Sequence, residues 1–361
     1  MKRNAANHFL LCALILSIIG VVFIYSASSY WSEVHYAEST PFFVKQLVFL
    51  LLAVGVYIGI SRMHLDYPGL WISLYWFTIF LLVIVCIPGI GVERNGSRSW
   101  LAIGPILVQP AELAKVTTLV VLSYQLAQVK RGQSTVRIKH LLTVLLPVAL
   151  TMLQPDFGSA FILVMAVFVL LYIGRYPLKF YMVILTAGAI GMTALIVTAP
   201  YRLKRIQSYL DPWQDPLGSG FQAVQSLLAI GPGGFWGQGF LKSRQKYLYL
   251  PEPQNDFIFS IILEEIGFVG GVTIICIFAY FLIAGFMLAR SALQIKRFYI
   301  ISSLVAMIAI QIMLNIGVVT GLLPVTGVTL PFISYGGSSL LINWMTVAII
   351  ISFARNQSNQ E

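Results

Sequence analysis

The chain has 361 residues, of which 58% are hydrophobic and only 10% are charged, and its formal net charge is +10. Its 23 basic and 13 acidic side chains are too few to give a soluble protein of this size a polar exterior, so a lipid bilayer must take the place of that exterior. The basic residues fall mainly in short loops and form no surface that interleaves them with aromatic side chains, which argues against nucleic-acid binding. The composition therefore predicts a membrane protein that crosses the bilayer many times.

Apolar runs of spanning length recur along the whole chain and predict an all-α bundle of about ten transmembrane helices. The first run lacks a convincing cleavage site, so we interpret it as a retained span and not a signal peptide. The fifth run is short, and the eighth is too long for one perpendicular span, so we expect the eighth to include a tilted or interfacial part. The ten runs lie near 9–29, 42–61, 69–90, 111–128, 140–154, 157–174, 179–199, 257–289, 298–323 and 337–354.

The short loops carry most of their cations on one side, which the positive-inside rule assigns to the cytoplasm. An even number of spans then places both termini in the cytoplasm, in a single transmembrane domain over 1–361 with a large extracytoplasmic loop at 200–256. The third-to-fourth loop departs from the trend with Arg94 and Arg98. The cations on the predicted cytoplasmic side are Lys2, Arg3, Arg62, Lys130, Arg131, Arg137, Lys139, Arg175, Lys179, Arg290, Lys296, Arg297 and Arg355.

The segment 200–256 interleaves aromatic residues with glycines and prolines, so we expect it to fold against the outer face of the bundle. Within it, FQAVQSLLAI has helix-like apolar spacing and predicts an amphipathic helix with Phe221, Val224, Leu227 and Leu228 on one side. Long loops escape the charge rule, but six cations on one loop also suggest an anionic ligand. These cations are Arg202, Lys204, Arg205, Lys242, Arg244 and Lys246.

Two cationic positions are candidates for a site at the outer side. Lys115 follows Glu112 at a spacing of i to i+3, shortly after the helix-starting Pro110, so the two side chains can meet on one helix face. The alternative is a buried structural ion pair. Arg98, in NGSRSW, is a second candidate cation, and its alternative is a snorkelling interfacial arginine beside Trp100.

Acidic residues stand out in a chain with so few charges. Asp156 begins the sixth span, where helix capping is the leading explanation. Asp256 lies where the long polar segment meets the eighth span, and the residues alone favour equally a functional ionisable group and a helix cap. At least one of Glu264 and Glu265 should face the bundle interior as a structural partner for a cation, whereas Glu252 is interpreted as a loop-surface carboxylate, with a role as a second base left open.

The SYGGSS stretch offers hydroxyls and backbone amides at an outward mouth. Ser334 and Ser338 could bind phosphate or sugar there, and close helix packing by the small residues is an equally plausible alternative. No glycine-rich nucleotide loop is present, and no His or Cys cluster has the spacing of a metal site, so the sequence predicts no metal and no nucleotide cofactor.

Several long stretches resemble motifs of the FtsW/RodA/SpoVE family. The DPLGSGFQ and YLPEPQ stretches and Thr329 are more similar to FtsW and SpoVE than to RodA. The stretches, in chain order, are NGSRSWLAIGPILVQPAELAK (95–115), QPDFGSA (154–160), DPWQDPLGSGFQAVQS (211–226), YLPEPQNDFIFSIILEEIGFVGG (249–271) and LPVTGVTLPFISYGGSS (323–339).

The resemblance implies a peptidoglycan glycosyltransferase that polymerises lipid II on the outer membrane face, with a class B penicillin-binding protein as partner. Such a reaction joins an α-linked donor into a β-1,4 bond with inversion, so it needs a carboxylate to take the acceptor's proton and cations to stabilise the departing diphosphate. The family's catalytic aspartate, in the matching DFIF motif, falls at Asp256. The QPAELAK motif implies that Lys115 binds the diphosphate and that Glu112 orients it.

Other classes of function remain open on the sequence. The same intramembrane charges would suit a transporter that moves lipid II across the bilayer, and the protein could also be a division or sporulation scaffold that recruits its transpeptidase. The polar groups gather toward the outer side, which favours the enzyme. A divalent cation on the lipid diphosphate is chemically reasonable, although no residue pattern demands one.

Overall fold

The computed structural model describes residues 2–36, 38–94, 96–104, 106–130, 138–198 and 208–355. Of the cations named above, Arg131, Arg137, Arg202, Lys204 and Arg205 lie outside the described residues, as do residues 200–207 of the large segment. The helices are α1 (Lys2–Tyr36), α2 (Pro41–Ile60), α3 (Pro68–Val85), α4 (Pro110–Lys130), α5 (Ile138–Leu153), α6 (Phe157–Ile173), α7 (Leu178–Thr198), α8 (Phe221–Gly233), α9 (Ile258–Arg290), α10 (Ile295–Val319) and α11 (Gly337–Arg355).

Apart from α8, these helices run back and forth between two ends of the bundle. At the basic end, Arg297 contacts the loop between α2 and α3, and Ser352 near the end of α11 donates to the Met63 carbonyl oxygen. At the loop end, Gln46 near the start of α2 donates to the Ser334 carbonyl oxygen, just before α11. The segment 208–257 lies at this loop end, where Ser226 of α8 bonds to the last turn of α10.

Helices α4 and α10 form the centre of the bundle, because they are buried along almost their whole length. The outer helices α2 and α3 instead expose large apolar side chains such as Leu51 and Phe80, as expected of surfaces that face lipid. By length and hydropathy, α1, α2, α3, α9, α10 and α11 can cross a bilayer. The chain is thus a helical, multi-pass membrane protein, and the number of ten spans stays a prediction.

A three-stranded antiparallel sheet, absent from our sequence-based prediction, separates α3 from α4. Its strands are β1 (Gly91–Arg94), β2 (Ser97–Ile103) and β3 (Ile106–Val108), in the order β1-β2-β3. The predicted third span at 69–90 was therefore too long, since α3 ends at Val85. Ser97 Oγ donates to the Gln154 carbonyl oxygen, which ties the sheet to the turn between α5 and α6 at the loop end.

Helix α9 is broken at Gly267, whose φ of 67° and ψ of −169° are not helical. This break explains why the predicted eighth span is too long for one straight crossing. Helix α8 packs beside α9, and the predicted amphipathic helix forms. Val224 and Ala229 are buried, whereas Leu228 is exposed.

A cluster of charges closes the basic end. Asp66, in the loop between α2 and α3, accepts hydrogen bonds from Arg297 of α10 at 2.8 Å and from Tyr124 of α4 at 2.9 Å, and its carboxylate lies 2.7 Å from Lys296. Burial acts to raise the pKa of Asp66, but the bonds from Lys296, Arg297 and Tyr124 outweigh it and hold the pKa below its usual value. One carboxylate thus joins three elements.

Candidate functional site

The first turns of α4 place a buried ion pair in the bundle. Pro110 begins the helix, and Lys115 Nζ lies 2.8 Å from Glu112 Oε1, as the i to i+3 spacing predicted. The lysine side chain is only 1% exposed, and its ammonium also donates to Gln311 Oε1 of α10 at 3.4 Å. A carboxylate and an amide oxygen thus surround this buried ammonium, an arrangement that compensates the cost of burying its charge.

Two amides on α10, which we call the amide column, connect this ion pair to Asp256. Gln311 donates from Nε2 to the Thr329 carbonyl oxygen at 3.2 Å. One turn further along, Asn315 donates from Nδ2 to the carbonyl oxygens of Asp256 and Val328, both at 2.7 Å. Lys115 thus lies about one helical turn deeper in the bundle than Asp256. Our sequence reasoning missed both amides, although polar residues at i and i+4 in an apolar span could have indicated them.

Asp256 lies two residues before α9 and does not cap it. The residue at the N-cap position is Phe257, and the start of α9 has no side-chain cap, so the capping alternative does not explain this carboxylate. The side chain is partly buried, next to the fully buried Phe257 and Phe259. Burial is the main cause that raises the pKa of Asp256, a bond from its own backbone N–H lowers it, and the charge of Glu252 raises it, so that the pKa is about 6. A carboxyl with this pKa is suited to accept a proton near neutral pH.

Asp156 caps α6, as predicted, because its Oδ1 accepts the Ser159 N–H at 3.1 Å. Its other oxygen, Oδ2, accepts a hydrogen bond from Gln109 Nε2, just before α4, at 2.5 Å. Burial raises the pKa of Asp156, although the two bonds from Ser159 and the nearby Lys115 cation oppose it. Asp156 therefore caps α6 and lies near the ion pair of Lys115 and Glu112.

Glu264 and Glu265 are both buried and both hold the segment that precedes Asp256. Glu264 accepts bonds from the Ser243 hydroxyl at 2.5 Å and from the Arg244 N–H at 2.8 Å. Glu265 accepts the Ser26 hydroxyl of α1 at 2.5 Å and lies 3.7 Å from Lys246 Nζ. The prediction that one of them faces inward as a partner for a cation is thus confirmed for Glu265.

Arg98 projects from β2 into an open cleft of about 480 Å³ at the loop end. Its guanidinium lies 3.5 Å from Glu93 Oε2; the Arg98 side chain is 37% exposed and that of Glu93 is 59% exposed. The cleft is lined by Cys86, Glu93, Gly96, Arg98, Leu153, Gln154 and Pro155. The structure therefore places Arg98 in a separate cleft from the amide column, and its role in binding an anion stays a prediction.

The SYGGSS stretch packs closely at the loop end. Ser334 Oγ accepts the Leu330 N–H at 2.8 Å and is buried, and Ser338 is buried in the first turn of α11. A Cβ at Gly337 would overlap the ring of Phe49 of α2, which favours the packing alternative for that glycine. Thr329 and Ser339 share a hydrogen bond of 3.1 Å beside the amide column. Substrate binding by Ser334 and Ser338 stays a prediction.

No group of three or more His, Cys, Asp or Glu within the described ranges has the arrangement to hold a metal ion. The carboxylates named above are instead engaged with backbone N–H groups, hydroxyls and cations. Asp256 as a proton acceptor and Lys115 as a cation that stabilises negative charge stay predictions.

Comparison with known proteins gives matches along nearly the whole chain. A family model described as "Cell cycle protein", for FtsW, RodA and SpoVE, matches residues 6–359. Stage V sporulation protein E of Bacillus subtilis is 42% identical over 351 residues, which cover 95% of this chain and 94% of that protein. The probable peptidoglycan glycosyltransferase FtsW of Saccharophagus degradans is 37% identical over 359 residues, which cover 96% of this chain and 92% of that protein.

Solved structures match over the same length. A chain of a peptidoglycan synthase complex, described as coordinating polymerization and crosslinking, has a TM-score of 0.77 and 30% identity, with 98% of each chain covered. The rod shape determining protein RodA of Thermus thermophilus has a TM-score of 0.72 and 27% identity, with 98% of this chain and 97% of that chain covered.

Proposed function

The chain belongs to the FtsW/RodA/SpoVE family of cell cycle proteins, and from this premise we propose that it is a peptidoglycan glycosyltransferase that polymerises lipid II into β-1,4 glycan strands. Relatives named as glycosyltransferases support the reaction class. The observation that carries the residue assignment is Asp256, which does not cap α9 and whose pKa is about 6. Asn315 binds its backbone to α10, the helix that also contacts Lys115.

The proposed reaction is a single displacement. The 4-hydroxyl oxygen of the acceptor sugar attacks the anomeric carbon of the donor, and the bond from that carbon to the diphosphate oxygen breaks. Asp256 takes the proton from the attacking hydroxyl. The electron pair of the broken bond leaves on undecaprenyl diphosphate, whose negative charge Lys115 stabilises while Glu112 holds the ammonium in place.

The proposed orientation places the basic end in the cytoplasm and the loop end, with Asp256, at the outer face of the cell membrane. The concentration of short-loop cations at the basic end supports this orientation. The described helices alternate in direction, with α1 starting and α11 ending at the basic end, so both termini are cytoplasmic. In the same proposal, the segment 200–256 is an extracytoplasmic loop of a single transmembrane domain.

The proposed partner is a class B penicillin-binding protein, which would crosslink the strands. Similarity to a chain of a peptidoglycan synthase complex supports this assignment. A divalent cation, if the reaction uses one, would be held mainly by the donor's diphosphate, since the carboxylates near Lys115 already have partners among the described residues.

The polar groups of the site favour an enzyme over a lipid II transporter. A transport path needs polar groups along the whole span, whereas Asp66 closes the basic end with Arg297, Lys296 and Tyr124. The amide column instead leads from Lys115 toward Asp256 at the loop end.

The test is polymerisation of purified lipid II by the protein in complex with its penicillin-binding protein. We expect long glycan strands from the wild-type protein and none from Asp256→Ala or Asp256→Asn, while folding and complex formation stay intact. Glu93→Gln, at an accessible carboxylate of the loop end, is the matched control and should keep activity. Equal activity of the wild type and both Asp256 variants would remove Asp256 as the base, and an inactive but intact wild-type complex would argue for transport or scaffolding.

A further inference from the structure

Residues 233–240, the last residue of α8 and the turn after it, are fastened to the break in α9 by backbone hydrogen bonds. The N–H groups of Phe268 and Val269 donate to the carbonyl oxygens of Gly234 and Phe235 at 2.8 and 3.2 Å. A second pair runs the other way, because the N–H groups of Gln238 and Gly239 donate to the carbonyl oxygens of Glu264 and Glu265 at 2.9 and 3.0 Å. We call residues 233–240 the aromatic turn.

Glycines make this close approach possible. A Cβ at Gly233 would overlap the Leu263 carbonyl oxygen, and one at Gly237 would overlap that of Glu265. A Cβ at Gly267 would overlap the backbone nitrogen of Gly237, and Gly267 also has a positive φ of 67°. The aromatic turn and the outer part of α9 therefore form one rigid unit.

This rigid unit presents large apolar side chains outward. Phe235 is 69% exposed and Trp236 is 80% exposed, and the Phe235 ring packs edge-on against Phe268 of α9, which is itself 59% exposed. Rigidly held aromatic side chains with this exposure form a patch that needs a covering partner.

Helix lengths show at which height along the bundle this patch lies. Phe268 is 22 residues from Arg290 at the basic end of α9, which corresponds to about 33 Å at ~1.5 Å per residue. Phe240 packs against Phe23 of α1, 21 residues after the helix start at Lys2 and so about 32 Å from it. Both distances match the ~30 Å thickness of the hydrocarbon core of a bilayer.

We propose that the aromatic turn is a membrane-interface anchor, with Phe235 and Trp236 seated among the lipid headgroups and upper acyl chains at the loop end. Tryptophan is enriched at this depth because its ring is apolar and its N–H can reach a polar partner. The anchor fixes the depth of the outer part of α9 and therefore of Asp256, two residues before that helix. The inference rests on the membrane fold and holds whether or not Asp256 is the base.

The experiment measures the depth of the turn directly. Cys12, Cys86 and Cys276 are replaced by alanine, a bimane fluorophore is attached to the Trp236→Cys variant, and the protein is placed in lipid nanodiscs. Tyr249→Cys is the matched control, because Tyr249 is 59% exposed in the same segment but follows Tyr247, which packs on Tyr30. Tyr30 lies seven residues beyond Phe23 along α1, or about 10 Å further from the basic end.

We expect lipids brominated in their upper acyl chains to quench the Trp236→Cys label at least about twofold more than the Tyr249→Cys label, and aqueous iodide to show the reverse order. Equal iodide quenching of the two labels would overturn the anchor. Iodide quenching at Trp236→Cys that disappears only when the penicillin-binding protein is added would also overturn it and identify a protein-docking surface.

A second measurement avoids labelling and applies if the cysteine variant does not fold. Brominated lipids should quench the intrinsic tryptophan emission of the wild type more than that of Trp236→Tyr, and the difference reports Trp236 alone. An equal absolute loss of emission per protein molecule in the two proteins would place Trp236 outside the lipid and contradict the proposal.

Discussion

Asn315 holds Asp256 by its backbone: the single nitrogen Nδ2 donates to the Asp256 and Val328 carbonyl oxygens, each at 2.7 Å. Because both partners are acceptors, the orientation of the amide is fixed, and Oδ1 faces the other way, buried and without a partner among the described residues. The segment before α9 and the segment before α11 are thus joined to α10 at one point.

We predict that Asn315→Ala lowers kcat of polymerisation more than it raises KM, because Asp256 loses its positioning bond. The two carbonyl oxygens lose their donor, and an unpaired buried polar group costs about 1–3 kcal/mol, so the thermal unfolding midpoint should also fall. The control is Asn343→Ala, since Asn343 is equally buried but makes only a 3.4 Å bond to Ser339. A loss of kcat of the same size in both variants would show that Asn315 acts only through general stability.

The activity should depend on pH through Asp256. Its pKa of about 6 means that the carboxyl is protonated, and unable to accept a proton, at lower pH. We therefore expect kcat/KM for lipid II to rise through a midpoint near pH 6.

Glu252→Gln should move that midpoint to lower pH, because Glu252 is the neighbouring charge that raises the pKa of Asp256. Glu93→Gln removes a carboxylate that pairs with Arg98 instead and should leave the midpoint unchanged. A pH profile of kcat/KM for the three proteins checks this, and an upward shift in Glu252→Gln would contradict the assignment of Asp256.

The Lys115 and Glu112 pair allows stability and activity to be separated. Lys115→Met leaves the Glu112 charge buried and unpaired, which typically costs about 3–5 kcal/mol, whereas removing both charges together costs much less. We expect the Lys115→Met/Glu112→Gln double variant to regain most of the lost thermal stability and still fail to polymerise lipid II. Recovery of activity along with stability would show that the pair is structural only.

Gly267 should tolerate no side chain. Its φ of 67° and ψ of −169° lie in a region open essentially to glycine, where strain costs about 1–3 kcal/mol, and a Cβ would overlap the backbone of Phe235 and Gly237. Gly267→Ala should therefore lower the thermal unfolding midpoint clearly. Gly55→Ala in α2 is the control, because nothing lies within 4 Å of its Cβ position and alanine is the better helix former by about 1 kcal/mol. Equal midpoints for the two variants would argue against a tight lock at the break.

Local patterns in the sequence predicted the features that depend on neighbours along the chain. The i to i+3 spacing of Glu112 and Lys115 predicted their contact, and the position of Asp156 before an apolar run predicted its cap on α6. The amphipathic spacing predicted α8, but not which face of it is buried, because that depends on α9 and α10, which come later in the chain.

The remaining features depend on contacts between distant parts of the chain. The sheet β1–β3 was missed because its strands are short, although the Asn95-Gly96 dipeptide between them is a recognised hairpin signal. Asn315 looks like one polar residue in an apolar span until the fold brings Asp256, 59 residues earlier, to within 2.7 Å. The break at Gly267 is likewise visible only once the aromatic turn lies against it.

The break in α9 also limits how this protein could be re-engineered. At the break, helical N–H and carbonyl groups give up their usual partners and are satisfied by the backbone of the aromatic turn, so a foreign loop would have to supply the same bonds. The turn and residues 263–269 of α9 are therefore one inseparable module, although 22 residues of chain lie between them. A functional chimera with a related protein must exchange both pieces together, since a graft of the loop alone would leave an unsatisfied helix end in the membrane.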